Sequence, residues 1–479
     1  MEKVAENLEK DLNSEENTVN NEQNAAEGCD FEEKKNSFGA RYYAVKILSR
    51  YDRSDSYIDK LLNHTLKNEN LSPQDKSLLT ELVNGVIRWR TRLDWILTGF
   101  YYGDYQKCLN LKKNAMRLAL YQVIYLNRIP IPAAINESVE IVKNIQGDKT
   151  AGIVNGVLRN IARNLENIRF PERSEDEIYH LSVMHSHPKW LVKKWVDRYG
   201  MKAAERLMEY NNQRPYISVR VNALKSSIDE IKEIFNTHNI EFRETKYLLN
   251  TILLYSPKYD ISASELFRTG KITIQDPSAT LAAILAEAQP GWNVVDLCAA
   301  PGGKSYVLAE QMLDEGKITA LDKHESKLRL IDDGSSRLGF NIIKSEQADA
   351  TEYKSKELFD LVFADVPCSG LGTLSKKPDI KWKKEQDDLL IIQKVQRDIM
   401  RNAARLLKAG GVFIYSTCTI EPEENEENIE WFLKEFPEFE LDPAEMYLSD
   451  EICSDGYMKI LPHVHKMDGA FAARLIKKR

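Results

Sequence analysis

The last 204 residues constrain the fold most. From residue 276 onward, short β-branched and apolar runs alternate with helical periodicities. The runs are NVVDLC (293–298), KITALD (317–322), FDLVFAD (359–365) and GVFIYST (411–417), and helices fit around 304–313, 325–338 and 386–408. Strands that alternate with helices predict a doubly wound, mostly parallel sheet, the Rossmann-like α/β arrangement. The closing pair YMKILP and AFAARLI predicts a β-hairpin at one edge. In such sheets ligands bind outside the C-terminal ends of the strands, so the residues just past each strand are where function is to be sought.

The first strand runs into Cys298-Ala299-Ala300-Pro301-Gly302-Gly303-Lys304. The two glycines allow close backbone approach and lead into a helix N-terminus, which suits a polar ligand. A phosphate-binding P-loop needs glycine five residues before Gly303, where Cys298 stands, and adjacent glycines break the G-x-G-x-x-G fingerprint. A nucleoside ligand without a phosphate chain remains. Asp322 ends the second strand, where a carboxylate can accept from ribose hydroxyls, and Asp349 follows the third strand region within reach of a base. An aspartate at a strand end is often only a helix cap, but two in register beside a glycine loop favour a ligand.

Asp365-Val366-Pro367-Cys368 ends the fourth strand, and Ser416-Thr417-Cys418 ends the fifth. A free cysteine is most often a small buried hydrophobe, which suits the thiols of Cys298, Cys108 and Cys453. Two thiols beside an acid at adjacent strand ends point instead to a nucleophile. Zinc would need clustered Cys/His ligands, and the pairs His185/His187 and His463/His465 have no cysteine nearby, so no metal is expected. One chemistry uses both a nucleoside cofactor and a thiol. Thiolate addition at C6 of a pyrimidine makes C5 able to attack an electrophilic methyl group, with an acid at N3 and a later base at C5. The spacing alone does not choose between the two thiols.

Upstream, residues 1–36 are rich in Asn and Glu with net charge −7, the composition of a disordered acidic tail. Residues 37–165 carry net +8 and read as helices, with Ser72-Pro73 as a cap and first-turn proline for the helix of Leu78 to Trp89. The bases include Arg88, Arg90, Arg92, Lys107, Lys112, Lys113 and Arg117, a candidate phosphate-contacting surface. The strings Asn84–Arg88 and Asn155–Arg159 are alike, but five residues are too few to establish a repeat. Residues 166–275 hold an acidic linker, a helical stretch from Trp190 to Tyr210, the strands ISVRVN, TILLY and KITIQD, and a helix over 228–235, together a small α/β unit in which Arg214, Arg220 and Lys225 could face a polyanion. Because 37–479 contains 62 bases and 62 acids, the tail accounts for the whole net charge of −7, and the acidic total does not argue against nucleic acid. The acidic N-terminus without an apolar run reads as no secretory signal, and no run is long enough for a membrane helix, so a cytoplasmic protein with no membrane partner is expected.

DLCAAPGGKS, DVPCSGLGTLSKKPDIKW, YSTCTIEPEENE and DGAFAARL, in this order, resemble the RNA cytosine-C5 methyltransferases that use S-adenosylmethionine, more narrowly the RsmB (Sun/Fmu) type that acts on 16S rRNA. HPKWLV (187–192), RVNALK (220–225), ELVNGVIRWRTRLDW and GIVNGVLRN extend the likeness over residues 38–479. The resemblance implies an all-α NusB-like RNA-binding domain at 37–165, a small RRM-like α/β domain at 166–275 and a class I methyltransferase domain at 276–479. It implies S-adenosylmethionine on Cys298 to Lys304, its ribose on Asp322, its adenine side on Asp349, and Asp365 against the cofactor or the target base. It further implies Cys418 as nucleophile, Cys368 in elimination or release, and cytosine 967 of free or early-assembled 16S rRNA as target of a monomeric enzyme. Val366, where alanine is common, and Asp332-Asp333-Gly334 depart from the family pattern. Lys376, Lys377, Lys381, Lys383 and Lys384, interleaved with Trp382, are expected to meet a splayed RNA strand. The same chemistry on tRNA and a non-catalytic ribosome-assembly factor are the alternatives.

Overall fold

The computed structural model describes residues 39–255 and 260–479. The tail at 1–36 lies outside the described residues. The N-terminal part is helical: α1 (Ala40–Tyr51), α2 (Ile58–Asn68), α3 (Pro73–Arg88), α4 (Arg90–Phe100), α5 (Asn110–Tyr125), α6 (Ile131–Gln146) and α7 (Asp148–Arg163). As the sequence predicts, Ser72 caps α3. Its Oγ accepts the Asp75 N–H at 3.1 Å and Pro73 takes the first position. The apolar stripe Leu79, Leu82, Val83 and Val86 faces a core shared with Ala44, Leu48, Leu118 and Val154. At Gly85 a Cβ would lie 2.0 Å from the Tyr121 ring, so glycine there lets α5 approach α3, whereas Gly156 in the similar string has open space around it.

The connecting segment folds as α8 (Glu177–Met184), α9 (Lys189–Tyr199) and α10 (Met201–Asn211). The predicted single helical stretch from Trp190 is therefore two helices, broken at Gly200, whose φ is +76°. The small α/β unit follows: β1 (Ile217–Val221), α11 (Ile228–Thr237), β2 (Arg243–Glu244), β3 (Thr251–Leu254) and β4 (Ile272–Ile274), with antiparallel order β2-β3-β1-β4. Val219, Val221, Ile231, Phe235, Ile252 and Leu254 form its core.

The C-terminal part begins with α12 (Pro277–Ile284) and alternates β5 (Asn293–Asp296), α13 (Gly303–Gln311), β6 (Lys317–Asp322), α14 (Glu325–Leu338), β7 (Ile343–Gln347), β8 (Phe359–Asp365), α15 (Asp388–Leu406) and β9 (Leu407–Thr417). It closes with α16 (Glu426–Glu435), β10 (Phe439–Asp442), β11 (Cys453–Ser454), β12 (Tyr457–Ile460) and β13 (Ala470–Lys477). The strand order is β11-β12-β13-β9-β8-β5-β6-β7, with β10 also on β13. The run β7-β6-β5-β8-β9 is parallel, and β13 and β12 add the predicted antiparallel pair, β13 lying against β9. β5 leads on to β6 and β7 on one side while β8 and β9 lie on the other, so the order reverses between β5 and β8 and opens a crevice at their C-terminal ends. Two apolar layers, one around Leu308, Ile318 and Ile331 and one around Val362, Met400 and Phe413, cover the sheet. β9 starts at Leu407 rather than at 411, and β5 stops at Asp296, which releases Leu297 and Cys298 into the loop. Among the described residues no helix is long and apolar enough to cross a membrane.

Candidate active site

The glycine loop leaves β5 and turns on Gly302, whose φ is +105°. The Gly302 N–H donates to Ala299 O, and the Ala299 N–H donates to Leu321 O in β6, both at 2.7 Å. Tyr306, one turn into α13, fastens the loop: its buried hydroxyl lies 3.0 Å from Pro301 O and 3.1 Å from Ile331 O of α14. A Cβ on Gly334 would come within 2.1 Å of that hydroxyl, so the Asp332-Asp333-Gly334 departure leaves α14 intact and places its glycine where only glycine fits. Below the loop Asp296 is buried, accepts the Ser305 hydroxyl at 2.6 Å, and is pushed by that burial up to about 7.

Asp322, at the end of β6, accepts the His324 N–H at 2.9 Å through Oδ1, with Lys327 Nζ 3.7 Å from the same oxygen. Asp349 is more committed locally. It accepts the Thr351 N–H and hydroxyl at 2.9 and 2.7 Å and pairs with Lys323 at 3.1 Å. These bonds outweigh its partial burial and hold it below the usual carboxylate range. Burial, then the charges of Asp296, Asp365, Asp322 and Asp349, push the Cys298 thiol well above its ordinary range, so it stays a neutral member of the loop.

Across the crevice, Lys304 Nζ donates to Asp365 Oδ2 at 2.5 Å, and Ser416 Oγ donates to Asp365 Oδ1 at 2.8 Å. Burial alone would lower the Lys304 ammonium, but Asp365 more than offsets it and the net effect is upward. The sulfurs of Cys368 and Cys418 are 3.0 Å apart, and the Cys418 N–H also points at Cys368 Sγ. An S–H donated by Cys368 lowers the Cys418 thiol, against its burial, and together with burial raises Cys368 well above the thiol range. With Cys368 as the donor, the hydrogen bond favours the thiolate at Cys418.

Sequence reasoning missed the frame around these thiols. Glu424, buried, accepts the Ser369 N–H at 2.8 Å and Gln396 Nε2 at 3.0 Å, and the Ser369 and Thr419 hydroxyls meet at 2.9 Å. Asn425 binds Thr417 Oγ1 and Thr419 O, and Trp195 of α9 donates to the buried Glu421 at 2.9 Å. The acidic run after Cys418 is thus partly interior. Its buried glutamates accept a loop N–H, an indole and a side-chain amide, the partners that buried carboxylates require.

The basic stretch after Cys368 corrects an expectation. Lys381 is buried and donates to Arg88 O, Lys383 donates to Ser54 O, Trp382 donates to Ile87 O, and Lys376 is held between Asp276 and Asp468. These groups are engaged inside the molecule and do not form a free strip for RNA. Lys377 remains exposed. The candidate phosphate-contacting set in the helical part shrinks likewise. Arg88 is buried, Arg117 is buried against Asp52 and Asp94, and Arg92 stacks on Trp89 and Phe170, while Lys107 stays 85% exposed. Arg220 is fully buried against Glu310 at 2.5 Å and does not face a polyanion, whereas Lys225 is exposed and donates to the carbonyls of Thr269 and Arg337.

Comparison with known proteins agrees with this arrangement. The family model for 16S rRNA methyltransferase RsmB/F matches residues 282–476, the NusB family matches 39–163, and the RsmF/B-like ferredoxin-like domain matches 187–262. The probable ribosomal RNA small subunit methyltransferase B of Bacillus subtilis is 38% identical over 91% of this chain and 98% of its own length. Ribosomal RNA small subunit methyltransferase B of Klebsiella pneumoniae is 33% identical over 86% and 92%. The crystal structure of PH0851 superposes with a TM-score of 0.77 at 25% identity, over 92% of this chain and 99% of that one. The middle unit, expected as a small RRM-like α/β domain, matches a ferredoxin-like domain, in keeping with that expectation.

Proposed function

We propose that this chain, which belongs to the ribosomal RNA small subunit methyltransferase B family and is an S-adenosylmethionine-dependent methyltransferase, methylates C5 of one cytosine in 16S rRNA through a covalent bond between Cys418 and C6. The observation that carries this reading is the thiol pair at 3.0 Å at the strand ends beside Asp365 and Lys304.

The cofactor fits the donor set. Both close contacts of Asp322 are to Oδ1, leaving Oδ2 to accept from a ribose diol, and the first N–H groups of α13 have no partner within the helix. Residues Cys298 to Lys304 would hold the amino-acid part and Asp349 would border the adenine. When bound, S-adenosylmethionine supplies an electrophilic methyl group to C5.

The chain's own residues then act in sequence. Cys418 attacks C6 as thiolate, and the C5–C6 π electrons move toward N3, where a proton supplied by the Lys304–Asp365 pair neutralises the developing negative charge. After methylation a base removes the C5 proton, the C5–C6 double bond re-forms, and the Cys418–C6 bond breaks with the thiolate leaving. Cys368, neutral and in contact with Cys418, is a proton donor suited to that departing thiolate. Reaching C6 requires an unstacked nucleotide, which favours free or early-assembled rRNA as substrate, with cytosine 967 as the target and the cytoplasm as the place of action. A monomer with divisions at 37–165, 166–275 and 276–479 belongs to the same reading.

Incubation of the protein with unmodified 16S rRNA and labelled cofactor, followed by nucleoside analysis, is expected to yield 5-methylcytidine at one position. Label in an exocyclic N-methyl or ribose methyl group would refute the C5 assignment.

A further inference from the structure

The loop that follows Cys368 leaves the sheet and crosses to the N-terminal helices. There Arg88 Nη2 donates to Ser375 O at 2.8 Å, and Lys381 Nζ donates back to Arg88 O at 3.0 Å. Trp382 Nε1 donates to Ile87 O at 2.9 Å, Asp379 accepts the Ile58 N–H at 2.9 Å, and Lys383 reaches Ser54 O at 2.6 Å. Arg88 is 7% exposed and Lys381 1%. The groups Lys381 and Trp382 reach are the last carbonyls of α3, at its negative end. That placement lets a lysine be buried without a carboxylate, although burial and the neighbouring Arg88 hold its ammonium well below the usual range.

Burying these two basic groups is costly, and their hydrogen bonds to carbonyls offset that cost only while the two segments stay together. What they fix lies seven residues away. Ser375 is anchored by Arg88, Gly372 donates to Cys418 O at 3.1 Å, and Cys368 stands against Cys418. Among the described residues, the side chain of Arg159, at the matching place of the second Asn-Gly string, bonds to surface Asn155 and Asn136. Only the first string supplies an arginine to this crossing.

We propose that Arg88 and Lys381 form a latch through which the helical domain sets the position of Cys368, so that they act as positioning residues for release of the methylated base. The proposal rests on the reading of Cys368 as the thiol that assists release. The helical domain then does more than hold RNA: it completes the crevice from outside the methyltransferase sheet.

The test uses the full chain. Lys381→Met keeps the apolar stem and removes the bond to Arg88 O. It is expected to lower kcat about 10- to 100-fold while the S-adenosylmethionine dissociation constant stays unchanged. A denaturant-resistant protein–RNA complex should accumulate on ordinary 16S rRNA, because the Cys418–C6 bond forms but breaks slowly. Arg88→Met should behave alike, and the double variant should be no worse than either single one, as expected of one shared device. Trp382→Phe retains the ring, loses one bond, and provides a milder variant should the others fold poorly. Folded variants with the kcat of the parent, or with lowered kcat and no trapped complex, would overturn the latch. If the parent protein forms no adduct on 5-fluorocytosine-containing rRNA, the covalent C5 reading itself fails. An adduct in the parent together with normal turnover in Lys381→Met overturns the latch alone.

Discussion

At the scale of residues, the account turns on two sulfurs that share one proton's worth of acidity. Cys418 is lowered because Cys368 donates its S–H, so the reactive thiolate is present at a lower pH than for an isolated cysteine. Adduct formation should therefore rise with pH through a midpoint that belongs to the pair, and Cys368→Ala should move that midpoint to higher pH. A midpoint unchanged in Cys368→Ala, measured by adduct rate against pH, would contradict the coupling. Asp322 carries a second prediction. If its carboxylate receives the ribose hydroxyls, Asp322→Ala should weaken cofactor binding by about 1.5–3 kcal/mol, read by calorimetry, with the fold intact. The sequence made Cys368, Cys418 and Asp322 legible because each ends a strand or follows one within three residues, and strand ends face the crevice whatever the tertiary detail. It did not make Glu421 and Glu424 legible. A glutamate inside an acidic run looks solvated until the indole and amides that bury it are placed, and those come from Trp195 and Gln396, far off in the chain.

At the scale of elements, β5, β6, β8 and β9 were readable from their own composition and α14 from its periodicity. By contrast β7, the mostly polar IKSEQ, shows no apolar run and is placed by the sequence only as a region before Asp349. The destination of the basic residues was not readable. Whether a lysine is solvated or buried depends on the element that packs over it, and the segment after Cys368 meets the carbonyl end of α3, which no local pattern announces. Arg220 illustrates the same limit: it sits in an alternating strand, yet its guanidinium crosses to Glu310 on α13 with no exposure at all. Arg220→Ala should leave that carboxylate buried and unpaired, a change worth about 3–5 kcal/mol, measurable in chemical unfolding. A loss under 1 kcal/mol would mean that water reaches the site. Gly334→Ala offers a sharper test of the Tyr306 contact. Alanine favours helices, but the added Cβ meets the hydroxyl that fastens the glycine loop, so a stability loss of about 1–3 kcal/mol is expected where propensity alone predicts a gain.

At the scale of the whole molecule, the thiol loops are held from three sides. The sheet supplies the strand ends, α9 ties down the segment after Cys418 through Trp195 and Glu421, and the N-terminal helices grip the segment after Cys368. The sequence disclosed three regions but not this convergence, because contacts between distant segments leave no periodic trace. Net charge misleads at this scale as well: residues 1–36 carry the whole −7, and their removal is expected to leave methylation intact, with loss of rRNA affinity as the contrary result. The central claim is that Cys418 forms the bond to C6. Its most direct test is intact-mass analysis of the protein after incubation with 5-fluorocytosine-containing 16S rRNA and S-adenosylmethionine, comparing Cys418→Ala with Cys368→Ala. A covalent protein–RNA adduct present in Cys368→Ala and absent in Cys418→Ala is the predicted result. An adduct that survives in Cys418→Ala and vanishes in Cys368→Ala would contradict the account.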